Sequence, residues 1–271
     1  MTNEKIIMGD VDITPNNGTT SERRLAPHKD ITTIGNSHYY HRLTQGCAEW
    51  HDLRKGMLTA STMNTVITPA TLKTANNKDT RTSIFELAAQ RVSDIPPDNF
   101  VSYAMERGNL EEMEARMLYS EKFEPVSECG FVINDSLGFP VGFSPDGLVG
   151  EYGAIENKSR AAKYQMQTII EHLATKDDDN LIPREFMLQV QTGLWVTQRK
   201  WCDFTSYSNG LNMVAIRVEP IPIYQEKIEE AAIATEKLVR KCVDDYRTAI
   251  SDPSNRIIPV KWIDHNEEIQ A

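Results

Sequence analysis

Gly142–Phe143–Ser144–Pro145–Asp146–Gly147–Leu148–Val149, followed by Ala154–Ile155–Glu156–Asn157–Lys158, is the stretch on which the reading of this chain turns. Val141–Phe143 and Ala154–Lys158 are strand-like, and Pro145–Gly147 supplies a turn. Side chains two apart on a strand share a face, so Glu156 and Lys158 project together. A hairpin would carry Asp146 beside them. Two carboxylates and an ammonium at a sheet end make a plausible Mg²⁺ site, since Mg²⁺ takes oxygen ligands and keeps several waters. Such an ion polarises a phosphodiester and lowers the pKa of a bound water. Lys158 would orient or deprotonate that water, or neutralise charge on the phosphate. Alone, the trio is also compatible with a common Pro-Asp-Gly turn and a solvated edge-strand pair.

Upstream, Gly130–Ile133 reads as a strand and Asn134–Gly138 as a turn. Ser102–Lys122 reads as a Glu-rich helix with Met105, Leu110, Met113, Met117 and Leu118 as its apolar residues. Thr82–Ser93 carries Ile84, Phe85, Leu87, Ala88 and Val92 at helical spacing, and Pro96–Pro97 breaks it. The hydroxyl run Thr59–Ala60–Ser61–Thr62 fits a helix start. Downstream, Ala161–Leu173 and Arg184–Thr197 read as helices. Trp201–Tyr207 and Met213–Val218 read as a strand pair around Asn209–Gly210. A long amphipathic helix from Tyr224 to about Ile250 closes the chain. The expected class is α/β, a central mixed β-sheet flanked by helices. Residues 1–36 are polar, with turn formers at Pro15–Asn16–Asn17–Gly18, and are expected to be a flexible N-terminal arm. Residues 37–271 show no repeat or linker and are expected to be one domain.

The chain has 271 residues, enough to bury a full core without staples. Its 29 Lys+Arg against 39 Asp+Glu give a formal charge of −10. That argues against a broad basic coat for nucleic acid, but not against an enzyme that meets DNA through metal ions. Residues 61–160 hold 9 basic and 15 acidic groups, the deepest deficit in the chain. One or two divalent ions there would invert the field seen by a phosphate. Cys47, Cys129, Cys202 and Cys242 form neither a CxxC nor any short zinc spacing, and lack the close pair common in iron–sulfur sites. A reducing compartment fits them. With no signal-like apolar start and no apolar run of ~20 residues, the expected setting is the cytoplasm.

Three further segments accompany the trio. They are Cys47–Ala48–Glu49–Trp50–His51–Asp52–Leu53–Arg54 with Thr59–Ala60–Ser61, then Gly108–Asn109–Leu110–Glu111–Glu112 with Ala115–Arg116, and Met187–Leu188–Gln189–Val190–Gln191 with Trp195–Val196–Thr197. In this order the four segments resemble the phage lambda-type exonuclease family, the YqaJ-like viral recombinases, within the PD-(D/E)xK nuclease superfamily. The resemblance covers about residues 44–208. It implies a restriction-endonuclease-like core. It also implies that Glu112, Asp146 and Glu156 hold metal together with the Asn157 backbone carbonyl, that Lys158 is the catalytic lysine, and that Gln189 supports the site. Arg54, Ser61 and Ser144 match positions that hold a 5′-terminal phosphate, which suits a guanidinium fork and hydroxyls near a helix start.

One departure is Asn157, where the family usually has an aliphatic residue facing the buried side of the strand. A buried amide without partners costs about 1–3 kcal/mol. Trp50 and Trp195 are expected in the core, and His38 and His41 are expected to be structural or solvated, having no third ligand.

The resemblance implies a Mg²⁺-dependent exonuclease, with Mn²⁺ as a possible substitute. It would digest one strand of linear double-stranded DNA from the 5′ end and leave a 3′ single strand. It further implies a homo-oligomeric ring, usually a trimer, and a single-strand annealing protein as partner in phage-type recombination. Two alternatives stand beside it: a structure- or sequence-specific endonuclease of the same superfamily, and an inactive DNA-end-binding protein.

Overall fold

The computed structural model describes residues 30–93, 103–174 and 181–261. Within them the strands form two mixed sheets. The first runs in the order β1 (Ile31–Ile34), β2 (Ser37–Tyr40), β5 (Phe131–Asn134), β6 (Val141–Phe143), β3 (Leu58–Thr59). The second runs β10 (Val214–Val218), β9 (Trp201–Tyr207), β8 (Gly153–Ser159), β7 (Gly147–Val149), β4 (Val126–Ser127). The α/β class holds, but the single central sheet is divided in two. The division falls at Ser144–Pro145–Asp146, where the chain leaves β6 and enters β7. Pro145 has no N–H to continue a ladder, and its carbonyl instead accepts from Gln45 Nε2 at 2.9 Å. Gly147, expected in the turn, is already paired with Ile155 as the first residue of β7.

Two helices, α4 (Ala162–Ala174) and α5 (Arg184–Thr197), make the crossover between parallel strands β8 and β9. Helix α5 is buried from Gln191 through Thr197 and touches strands of both sheets. Gly193 permits this, because a Cβ there would lie 2.7 Å from the Phe143 ring. Side chains of the first sheet satisfy the last carbonyls of α5. Ser37 Oγ donates to Val196 O at 2.6 Å, Tyr39 OH to Thr197 O at 2.5 Å and Asn134 Nδ2 to Trp195 O at 3.3 Å. The two sheets are therefore locked together through one helix.

Helix α1 (Ala48–Arg54) precedes β3, and the hydroxyl run after it forms a 3-10 helix, Ala60–Thr65, capped by Thr59 rather than Ser61. The Thr59 N–H donates to Thr62 Oγ1 at 3.1 Å. Helix α2 (Lys78–Val92) begins four residues earlier than its apolar pattern indicates. Asn77 caps it, its Oδ1 accepting from Thr80 N at 3.0 Å. Helix α6 (Pro222–Ser251) has Pro222 in its first turn and buries Tyr224, Ile228, Ala231, Ala232, Val239 and Val243. It is fastened to α2 by an Arg91–Glu236 pair whose two bonds measure 2.9 and 2.6 Å.

Helix α3 (Tyr103–Lys122) carries Glu112. It buries Ala115 and Tyr119, and leaves Leu110, Met113 and Met117 exposed. Leu110, Met113 and Met117, which helped mark it as a helix, are thus not the residues it packs with. Side-chain hydrogen bonds hold it to the second sheet. Ser159 Oγ donates to Glu111, Tyr207 OH donates to Glu114 at 2.9 Å, and Tyr119 OH donates to Asp203 Oδ2 at 2.5 Å.

Among the described residues the strand pairing begins at Ile31, where β1 pairs with β2, inside the stretch expected to belong to the arm. The alternation that would have marked β1 is weak, since three of its four residues face solvent. Residues 1–29 of the expected arm lie outside the described residues, as do Ser102 of the α3 reading, Pro96–Pro97 and residues 262–271.

Candidate active site

The register of β7 and β8 decides where the carboxylates meet. Gly147 faces Ile155 across the hairpin, so Asp146, one residue earlier, falls beside Glu156 and Asn157. The Asn157 N–H donates to Asp146 Oδ2 at 2.6 Å. Glu156 and Lys158 share a face of β8, and Lys158 Nζ donates to Glu156 Oε1 at 2.7 Å. Gln189 on α5 donates its amide to the same oxygen. Glu112 reaches the group from α3. It is half-buried, and its charge is felt by Glu156 and Lys158. The acidic run Glu111–Glu114 is therefore not simply a solvated helix face.

The electrostatics follow from crowding negative charge away from water. Burial, then Asp146, pushes the Glu112 carboxyl up to about 7, although Lys158 opposes this. Burial pushes Glu156 up to about 8, with Asp146 and Glu112 adding to the shift and Lys158 acting against it. Burial also raises Asp146, against the pull of Lys158, the Asn157 N–H and Arg116. For Lys158 burial works the other way, but Glu156, Asp146 and Glu112 outweigh it and hold the ammonium above its ordinary pKa.

Glu156 is 1% exposed, and its Oε2 is buried with no hydrogen-bond partner among the described residues. An unsatisfied, buried carboxylate oxygen that feels the charges of two more carboxylates fits a divalent cation. Among the described residues no three His, Cys, Asp or Glu side chains already close on one point as a formed cage.

The Asn157 residue is 1% exposed, yet both its amide nitrogen and its amide oxygen have a partner. Its Nδ2 donates to Glu112 O at 3.3 Å, and its Oδ1 accepts from Thr205 Oγ1 on β9. The departure from an aliphatic residue is thus matched by a hydroxyl on the neighbouring strand, and it ties α3 to β8 behind the carboxylates. Asn157→Ile is expected to leave the buried Thr205 hydroxyl without its amide partner and to cost about 1–3 kcal/mol. A lowered denaturation midpoint in urea would show it, and an unchanged one would contradict it.

A second constellation lies at the start of the β6–β7 link. Arg54 Nη1 donates to Ser144 Oγ at 2.9 Å, and Trp50 Nε1 donates to the same oxygen at 3.1 Å. The Arg54 guanidinium lies 3.9 Å from the Trp50 ring centroid. Burial lowers its pKa to about 10. With both lone pairs of Ser144 Oγ engaged, its O–H is left to donate. Ser61 does not join this contact. It shares a hydrogen bond with Thr59 at 3.2 Å. Thr59 pairs with Gly142 in parallel strands, so Ser61 and Ser144 each lie two residues beyond a paired position, at the same sheet end.

The family model of the YqaJ-like viral recombinase domain matches residues 49–200, which contain both constellations. The chain belongs to this family. Among solved structures it is similar to an alkaline exonuclease (LHK-Exo) from Laribacter hongkongensis. They share 27% sequence identity with a TM-score of 0.63, over 76% of this chain and 98% of that one. The same enzyme in complex with dAMP matches at 28% identity and a TM-score of 0.64, with the same coverage. A phage-related exonuclease from Haemophilus somnus 129PT, at 11% identity and a TM-score of 0.52 over 72% of this chain, shares the fold. No curated protein sequence matches. The chain thus has the PD-(D/E)xK fold of the lambda-type exonucleases, and no helix among its described residues is long and apolar enough to cross a membrane.

This YqaJ-like chain also contains site neighbours that the sequence reading passed over. Phe186 lies under Lys158, the ammonium being 5.7 Å from the ring centroid. It precedes Gln189 by three residues, a spacing that shares a helix face and could have flagged it. Arg116 Nη1 donates to Asp146 O at 3.3 Å. Thr205 had no local signal, because its place opposite Asn157 follows from the β8–β9 register. Gln191, the other glutamine of the pair, turns away. It accepts from Ile221 N at 2.9 Å and donates to Glu219 O at 2.8 Å, holding the entry to α6. Residues two apart on a helix point nearly opposite ways. Trp195 is buried as expected, Trp50 is half-buried and engaged with Ser144, and His38 shares hydrogen bonds with Asp135 and Thr33.

Proposed function

We propose that this YqaJ-like nuclease is a metal-dependent exonuclease that digests one strand of linear double-stranded DNA in the 5′-to-3′ direction and leaves a 3′ single strand. The observation that supports the reading is the buried, unpartnered Glu156 Oε2, on a carboxyl whose pKa is raised in part by the charges of Asp146 and Glu112 and to which Lys158 is bonded. Asp146, Glu156 and Glu112, with the Asn157 carbonyl, would hold one or two Mg²⁺ or Mn²⁺ ions. Bound there, the metal supplies polarisation of the phosphodiester and a water of lowered pKa. Gln189 fixes the Glu156 carboxylate with a donor that does not titrate. Lys158, held protonated by its carboxylates, serves as a hydrogen-bond donor and counter-charge to the phosphate more readily than as a base.

Arg54, Ser144 and Ser61 would receive the 5′-terminal phosphate. Support comes from the charged donor on Arg54 and the free O–H of Ser144, aimed from the same link that carries Asp146. The alkaline exonuclease crystallised with dAMP, a deoxynucleoside monophosphate, is consistent with stepwise release from an end.

The reading includes a homo-oligomeric ring, a trimer, around the DNA; exposed apolar residues Leu110, Met113 and Met117 on α3, and Met166, Ile170 and Leu173 on α4, are surface that subunit contacts would cover. A single-strand annealing protein would take up the exposed strand for phage-type recombination in the host cytoplasm.

The testing experiment compares linear duplexes bearing 5′-phosphate or 5′-hydroxyl ends with a closed circle, with and without Mg²⁺. The linear 5′-phosphate duplex should be digested only with metal, the circle spared, and the 5′-hydroxyl duplex slowed. Arg54→Ala should erase the preference for phosphate, with a loss of about tenfold or more on the phosphorylated duplex. Nicking or linearisation of the circle would favour an endonuclease. Equal rates on both ends would remove Arg54, Ser61 and Ser144 from the receptor.

A further inference from the structure

Strand β8 carries one more charge on its site face than the catalytic signature uses. Alternation puts Glu156, Lys158 and Arg160 on one side. The alternation extends to Arg160 because its N–H donates to Tyr207 O at 2.7 Å, continuing the pairing with β9 by one residue. The Arg160 side chain is only 11% exposed. Its guanidinium lies 4.9 Å from the Phe186 ring centroid and 5.2 Å from that of Tyr164, so it is laid against the same Phe186 ring that Lys158 overlies.

Its polar partners are too few for so buried a cation. Arg160 Nη1 donates to Glu185 Oε1 at 3.1 Å, but the Glu185 side chain is 58% exposed. Such a pair holds little free energy in water. Arg160 Nε is buried with no hydrogen-bond partner among the described residues. A planar donor fork has thus been fixed against aromatic rings beside the reacting groups with donor capacity to spare.

We propose that Arg160 is a further DNA-contacting residue, whose guanidinium takes the backbone phosphate next to the scissile one on the strand being cut. This rests on the nuclease reading of the Asp146–Glu156–Lys158 site. Residues two apart on a strand are separated by roughly 6.6 Å, close to the spacing of successive phosphates along one DNA strand. With Lys158 at the scissile phosphate, Arg160 stands at its neighbour. Glu185 is then a stand-in partner on the free enzyme, exchanged for phosphate when DNA enters.

The test measures kcat and KM on a 5′-phosphorylated linear duplex in Mg²⁺ across a salt series, for the parent, Arg160→Ala, Arg160→Lys and Glu185→Gln, with melting curves for each. Arg160→Ala should raise KM about tenfold or more while kcat changes far less. Its kcat/KM should fall less steeply with salt, the slope becoming shallower by about 0.7–0.9, as for the loss of one phosphate contact. Arg160→Lys should keep the parent slope with a smaller rise in KM. Glu185→Gln should not raise KM. An unchanged slope in Arg160→Ala, or a Glu185→Gln variant that reproduces its loss, would overturn the proposal and make Arg160 an anchor of α5 alone. If the parent does not digest the duplex, the nuclease reading and this contact fall together. If the parent digests it and only the Arg160 outcomes fail, the nuclease reading stands.

Discussion

Lys158→Ala is expected to slow digestion of a 5′-phosphorylated linear duplex by about 10²–10⁴-fold, the range for loss of a positioned proton-handling or charge-stabilising group. The reason lies in what surrounds it. Lys158 Nζ is 2.7 Å from Glu156 Oε1, and three carboxylates hold it charged. Its ammonium is the positive charge bonded directly to Glu156 on the β8 face. Removing it should impair the reaction more than substrate binding, so the fall should appear in kcat. The variant should still fold near pH 6, because Glu156 and Glu112, already raised to about 8 and 7, take up protons in place of the lost charge. Lys158→Arg keeps the charge and should retain more activity than Lys158→Ala if counter-charge is the main role. Digestion by Lys158→Ala at the parental rate, in a protein with a normal melting curve at pH 6, would remove Lys158 from the mechanism.

Glu156→Gln should act on stability and activity with opposite signs. Glu156 has its pKa raised from 4.5 to about 8, with burial as the leading cause. A carboxyl raised in the folded state contributes stability that is fully present below about 4.5 and is lost as pH climbs through about 8. Glu112, raised to about 7, and Asp146 act in the same direction. The metal-free protein should therefore melt at a lower temperature at pH 8.5 than at pH 6. Mg²⁺ should recover much of the difference, and its stabilising effect should grow with pH because the ligands must be deprotonated. Glu156→Gln deletes one of the opposed charges. It should be more stable than the parent at pH 8.5 without metal, respond less to Mg²⁺, and digest DNA at least about a hundredfold more slowly. Thermal melts with and without Mg²⁺ at the two pH values check this. A parent whose melting temperature rises steadily from pH 6 to 8.5 without metal would contradict the assignment of these carboxylates to a strained, metal-seeking site.

Much of this was legible in the chain because the information is local. Glu156 and Lys158 share a face by strand periodicity alone, and Lys158 Nζ duly meets Glu156 Oε1. Trp50, expected in the core, is instead half-buried with the Arg54 guanidinium over its ring one helical turn away. What was illegible depends on partners distant in sequence. The burial of Asn157 read as a liability until Thr205, from a strand two helices away, supplied its hydroxyl. Leu110, Met113 and Met117 marked a helix, but which face of it is buried was decided by Ala115 and Tyr119 against the second sheet. The short strands β1, β3 and β4 have too few alternating residues to announce themselves, and become strands only because a neighbour offers a ladder.

By itself the sequence determined the α/β class, the identity of the acidic and basic groups and their order along the chain, because periodicity and turn chemistry act over a few residues. Only the tertiary structure decided that the sheet divides at Pro145, where a missing N–H ends one ladder and another begins. It also brought Asp146, Glu112 and Gln189 to Glu156 from three separate elements and kept water away from Glu156. The site's chemistry comes from that exclusion: a carboxylate in water is satisfied, while Glu156 Oε2, buried and unpartnered, is left to seek a cation.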